Sequence, residues 1–181
     1  MGDLITGTIA GLVASVVFFT LLTVLRPRLE ISPCIAKTET GDETPTHRYR
    51  IKIVNKSFRS CVDVEVAAFT VRTRTVPAQK QGTHGQVSVM AQVDLKRSPR
   101  SVIPGYRPRS SRAPYAHRIR FDEETVNVLH PNSDQQYELL VRVTARDGIT
   151  GFPRMFEQRY ALHNQIKDGT FIFGKSLDVV P

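Results

Sequence analysis

Residues 96–120 read KRSPRSVIPGYRPRSSRAPYAHRIR, with eight Lys or Arg, four Pro, two Tyr and no Asp or Glu. The whole chain has a formal net charge of +8, so this one segment carries the equivalent of all of it. Arg97, Arg100, Arg107, Arg109 and Arg112 are side chains that grip phosphate oxygens bidentately. Tyr106 and Tyr115, with His117 close by, offer flat rings for stacking on bases. Pro99, Pro104, Pro108 and Pro114 fix φ and make the segment extended and semi-rigid. Arginine interleaved with aromatics is the composition of a nucleotide or single-stranded nucleic acid site. The same composition also suits a loop pressed on acidic headgroups, or a solvated run with no specific partner. The interleaved tyrosines favour a ligand.

Other chemistry is sparse. His47, His84, His117, His130 and His163 show no i, i+4 metal spacing, and none lies near a cysteine in a finger-like pattern. There is no Gly-x-Ser-x-Gly elbow, no phosphate loop and no dinucleotide fingerprint. Asp122, Glu123 and Glu124 read as a solvated acidic turn. No enzyme, metal or cofactor is expected. The pI near 9.9 points to anionic partners.

The elements that must position the basic segment have period two. Tyr49, Ile51 and Ile53 alternate with Arg48, Arg50 and Lys52, and Val62, Val64 and Val66 alternate with Asp63 and Glu65. Residues 87–95 and 139–144 repeat the pattern, which is that of strands with one face on a core. A change of phase between Val66 and Phe69 predicts a bulge near Ala67–Ala68. Shorter strands are expected over 29–37, 116–121, 154–162, 170–173 and 177–180, separated by turn residues such as Asp147-Gly148 and Asp168-Gly169. The expected fold is all-β: an antiparallel β-sandwich, immunoglobulin-like or barrel-like, occupying 29–181. Its basic loop at 96–115 is too long for a passive connection.

Ahead of it, residues 4–25 contain no ionisable side chain. As a helix they would be about 33 Å long, which matches a hydrocarbon core of about 30 Å. A single transmembrane helix within 1–28 is therefore expected. Arg26 and Arg28 follow it directly, placing the β domain on the cytoplasmic side of a plasma membrane, with lipid as a partner. Cys34 and Cys61 then read as buried thiols. Gly7, Gly11, Ala14, Ser15 and Phe18, with Thr8 at the edge, form a stripe of mostly small residues suited to homo-oligomer packing or a pore wall.

Segment 48–72, RYRIKIVNKSFRSCVDVEVAAFTVR, is similar to the paired-strand pattern of immunoglobulin-like adhesion and cell-wall sandwiches. The overall plan of one span, Arg-Pro-Arg and a β domain of about 150 residues resembles the small membrane effectors of bacterial anti-phage nucleotide signalling. That resemblance implies an inner-membrane oligomer whose β domain binds a nucleotide or oligonucleotide and gates a pore. The rival expectation is a membrane-tethered scaffold whose basic loop touches lipid or protein, with no gating.

Overall fold

The computed structural model describes residues 2–24, 27–40, 46–77, 84–95, 101–110, 112–121, 126, 137–161 and 165–181. Among the described residues the fold is all-β, with 55% in strands, plus one N-terminal helix. That helix, α1 (Gly2–Val24), overturns the membrane expectation. Among the described residues no helix is long and apolar enough to cross a membrane. The single-pass topology, the inner-membrane location, the cytoplasmic orientation drawn from flanking arginines and the helix-lined channel all fall with it.

Twelve strands follow: β1 (Leu29–Ile31), β2 (Ile35–Thr40), β3 (Thr46–Asn55), β4 (Cys61–Pro77), β5 (His84–Val93), β6 (Val102–Ile103), β7 (Ala116–Phe121), β8 (Tyr137–Asp147), β9 (Pro153–Ala161), β10 (Ile166–Asp168), β11 (Thr170–Phe171) and β12 (Val179–Val180). Sheet A centres on β3, with β1 and β2 along one side and β7 along the other. Beyond β2 lies β10, paired in parallel, which departs from the all-antiparallel expectation. Sheet B runs β5-β4-β8-β9, with β6 beside the start of β4. The phase change in β4 sits earlier than expected, between Val62 and Glu65, where Asp63 adopts φ 49°. The predicted strand over 29–37 is broken at Ser32, so β1 and β2 pair with successive parts of β3.

One apolar cluster takes side chains from both sheets: Ile35, Ile51, Ile53, Ile119 and Phe121 from sheet A, and Ala68, Leu139, Val141, Val143 and Tyr160 from sheet B. These are the apolar phases of the alternating strands, and burying each large one contributes roughly 1.5–3 kcal/mol. A polar tie crosses the same core, where the Tyr160 hydroxyl donates to the Ser32 carbonyl at 2.6 Å. Ser32 is held in turn by Lys52, whose backbone N–H donates to its Oγ while its own N–H reaches the Lys52 carbonyl.

The other face of sheet A is partly roofed. Val54 packs with Ala113 and Tyr115, supported by Tyr106 and Leu177. Cys34 and Ala36 pack with Phe171 and Val179. The roof is therefore made by two segments, 101–115 and the C-terminal stretch 169–181. Cys34 and Cys61 are both buried free thiols.

Candidate functional site

Alternation along β3 sends Tyr49, Ile51 and Ile53 into the core, so Arg48, Arg50 and Lys52 must point the other way. The same holds on β7, where Ile119 and Phe121 are core and Arg118 and Arg120 are not. The register then sets like against like: Arg50 lies directly opposite Arg120, and Lys52 opposite Arg118. Directly opposed residues have Cβ atoms about 4.5–5.5 Å apart, a spacing at which like charges destabilise a sheet. Among the described residues none of these five cations makes an ion pair with a carboxylate. Burial, and then the charges of Arg118, Arg120 and Arg48, hold the Arg50 guanidinium below its usual pKa.

Lys52 is the most constrained of the five, at 1% exposure. Its Nζ donates to the carbonyls of Ile172 at 2.7 Å and Ser176 at 2.6 Å, both in the C-terminal roof. Burial lowers its pKa to about 8, with Arg118 and Lys56 acting in the same direction and Asp178 opposing them. Arg118 donates to the Phe171 carbonyl at 3.2 Å. Between the two roof segments a cavity of about 310 Å³ opens over this end of the face, lined by Lys52, Arg112, His117, Arg118, Phe173 and Gly174 among others.

The basic segment is less a free loop than a built edge of this site. Asn55, fully buried, donates from Nδ2 to the carbonyls of Arg59, Ile103 and Pro104 and accepts from Ser57 at Oδ1. Tyr106 N–H donates to the Ser57 carbonyl, and Asn55 N–H to that of Tyr115. A Cβ at Gly105 would collide with the Phe58 carbonyl oxygen, so only glycine lets the two strands of this crossing approach.

Of the residues expected to hold phosphate, Arg112 lines the cavity, while Arg107 and Arg109 are exposed on the roof. Arg97 and Arg100 lie outside the described residues, as do Asp122, Glu123 and Glu124. Tyr115 is 4% exposed, so it is a packing residue and not a stacking platform. Tyr106 packs edge-on to Tyr115 at 5.0 Å, also meets Phe58, and has the Lys175 ammonium 5.6 Å from its ring centre. Its rings and neighbours serve the roof. On α1, nothing stands within 4 Å of a Cβ built at Gly7 or Gly11, and the Ser15 hydroxyl donates back to the Gly11 carbonyl at 2.8 Å. Thr8, Ala14 and Phe18 of that stripe are exposed.

The reading of the sequence missed Arg48, Arg50, Lys52, Arg118 and Arg120 as a site. Their alternation was visible as the polar side of a strand. What was not visible is that β3 and β7, more than sixty residues apart, align those polar sides. Among the described residues no group of His, Cys, Asp and Glu could hold a metal ion. No protein-family model matches the chain, and no curated protein matches it.

Proposed function

We propose that the two sheets form an immunoglobulin-like sandwich that works as a binding module for a nucleotide or oligonucleotide, with the outer face of sheet A as its contact surface. The observation that carries this reading is the pair of like-charged cross-strand rows, Arg50 with Arg120 and Lys52 with Arg118, uncompensated among the described residues. Such an arrangement costs folding energy unless something anionic covers it. Arg107, Arg109 and Arg112 extend the same charge along the roof. Phosphate is the anion that fits, because a row of guanidinium forks matches its geometry. Aromatic stacking is not part of the reading, since Tyr115 is buried and Tyr106 is occupied by its neighbours.

The test is binding of a short fluorescent single-stranded oligonucleotide to the full chain over a range of salt. Five phosphate contacts give a slope of about −3.5 in log K against log salt, or roughly a hundredfold loss between 50 and 200 mM. A salt-independent affinity, or none at 50 mM, sinks the proposal. Eight large apolar side chains of α1 (Ile9, Leu12, Val13, Val16, Val17, Phe18, Phe19 and Leu21) are exposed. That surface fits association of α1 with copies of itself. Light scattering should give a multimer for the wild type and a smaller species for Gly7→Leu/Gly11→Leu, and a monomeric wild type rules the association out.

A further inference from the structure

The cationic face is half-buried at Arg48, Arg50 and Arg120, and at the Lys52 end it has an interior. The cavity there, about 310 Å³, sits at the low end of the roughly 300–1,000 Å³ typical of small-ligand sites. An ammonium carries three N–H donors, and Lys52 gives two of them to the Ile172 and Ser176 carbonyls. Both acceptors are neutral. Lys52 therefore keeps its charge uncancelled and one donor unassigned, with the cavity on its border. Arg118 commits one N–H to Phe171 and retains the rest of its fork. Arg112 brings a third cation from the other wall. Asp178 is the described carboxylate that acts on Lys52, yet it makes no ion pair with it, and its own oxygen accepts from the Ser176 hydroxyl.

We infer that this cavity is a phosphomonoester site, holding the terminal phosphate of a nucleotide or oligonucleotide between Lys52, Arg118 and Arg112. The inference rests on the reading of sheet A as a phosphate-binding face and narrows it to one group. A backbone diester carries a single charge and has sugar on both sides, so it needs an entrance and an exit. A terminal phosphate carries about −1.5 to −2 charge at neutral pH and three acceptor oxygens, and it needs one entrance. Three cations, Lys52 and Arg118 on the sheet floor and Arg112 on the roof, converge on one cavity and match the second demand. They also come from three separate pieces of chain, namely β3, β7 and the 112–114 turn. An occupied site would thus clamp the roof on the sheet.

Calorimetric titration of the full chain with four probes tests this: a 5′-phosphorylated decathymidylate, its 5′-hydroxyl counterpart, thymidine monophosphate and inorganic phosphate. The phosphorylated strand should bind about tenfold more tightly than the hydroxyl strand, the worth of one or two charge-assisted hydrogen bonds. Thymidine monophosphate should compete for that increment, and inorganic phosphate should do so more weakly. Arg112→Met, at an exposed position, should shrink the preference to below about threefold, and because Arg112 also belongs to the surface it should weaken both strands as well, the phosphorylated one more. Lys52→Met should abolish the preference, with circular dichroism reporting whether the roof still folds. Equal binding of the two strands to the wild type overturns the inference and leaves the surface reading intact. A preference that persists in both Arg112→Met and Arg118→Met also overturns it. Binding of thymidine monophosphate without either strand supports the cavity and refutes the extended surface.

Discussion

Sheets A and B both carry rows of arginine on their outer faces, and they treat them in opposite ways. On sheet B each arginine whose side chain is described has a partner. Arg142 meets Glu157 at 2.7 Å and lies over Phe69, Arg159 meets Glu138 and Arg146 meets Asp63, while Arg72 and Arg154, at positions of core-facing parity, lie over Tyr137 and Phe156. At the end of β8, buried Asp147 is matched by Arg59 at 3.4 Å. Burial pushes that carboxyl up, but hydrogen bonds from Thr150 and Ile149, together with Arg59, outweigh it and hold the group below its usual pKa. On sheet A, Arg50 and Lys52 of β3 instead face Arg120 and Arg118 of β7. Among the described residues the outward arginines of sheet B are paired within the fold, while the β3–β7 cations of sheet A meet no carboxylate. Net charge alone does not distinguish the two; the register does.

The sharpest way to break this contrast is to remove the same charge from each face. Arg50→Glu/Arg118→Glu/Arg120→Glu and Arg142→Glu/Arg146→Glu/Arg159→Glu change the chain's net charge identically. Oligonucleotide affinity measured by fluorescence anisotropy near physiological salt should fall about a thousandfold for the first and less than about fivefold for the second, because charges beyond a Debye length of about 8 Å are screened. Equal losses would mean that binding follows total charge, and the contrast between faces would carry no function.

Next in size is the effect of Lys52 on stability. Its amine titrates near 10.5 when exposed and near 8 in the fold. Between those values the unfolded chain holds a proton that the folded chain has released, so stability rises with pH across that window. The full shift would be worth about 3 kcal/mol, and solvent in the adjoining cavity reduces this to about 2 kcal/mol. Cys61 opposes the trend above its usual value of 9, because burial raises its thiol to about 12 and the folded chain keeps that proton. Urea midpoints should therefore climb from pH 8 to 9, then flatten. Lys52→Met should remove the climb, and a wild-type curve that stays flat from pH 8 to 9 would show that the folded amine keeps its proton there. A bound phosphate favours the charged amine, so its affinity should decline as pH passes through 8.

How much of this could be read from the chain depended on range. Strand positions followed from local alternation: 116–121 coincides with β7, and Ile51 and Ile53 are core as their period requires. The break at Ser32 was hidden, because it is stabilised by the Ser32 hydroxyl reaching the Cys34 carbonyl and by Lys52, twenty positions away. Arginines 107, 109 and 112 stood out by density. Arg50, Lys52, Arg118 and Arg120 did not, because each is an ordinary polar position until the pairing of β3 with β7 sets it opposite another cation. Tyr115 was legible as an aromatic but not as a buried one, since its burial depends on Val54 and Leu177 from distant segments. Along α1, an uncharged run suggests a span, yet among the described residues no helix is long and apolar enough to cross a membrane.

The link between the two sheets gives a smaller effect that probes the core beneath both faces. Tyr160 is fully buried, and its hydroxyl donates to Ser32 O. Burial raises the phenol's pKa, although the Ser32 bond works the other way. Tyr160→Phe keeps the ring and leaves the Ser32 carbonyl short of a donor, which should cost about 1–1.5 kcal/mol in urea unfolding. Because Ser32 also anchors Lys52, amide exchange at Lys52 should speed up in this variant, while exchange in β8 stays near the wild-type rate. Uniform acceleration would mean that Ser32 does not tie the cationic face to the core.

The smallest effect lies on sheet B, and it tests whether self-compensation there stabilises anything. Arg142 and Glu157 are directly opposed in register, and their side chains remain 38% and 36% exposed. In high dielectric such a pair contributes about 0.5 kcal/mol or less. A double-mutant cycle with Arg142→Ala and Glu157→Ala should return a coupling of that size and lose most of it in 1 M salt, where the screening length is about 3 Å. A coupling above about 2 kcal/mol that resists salt would show that pairing on sheet B is structural. The open rows on sheet A would then be the costlier of the two designs by a wide margin, and their retention would demand a ligand all the more strongly. A coupling near zero places both faces on equal footing for stability. The difference between them then lies wholly in which charges remain available to a phosphate.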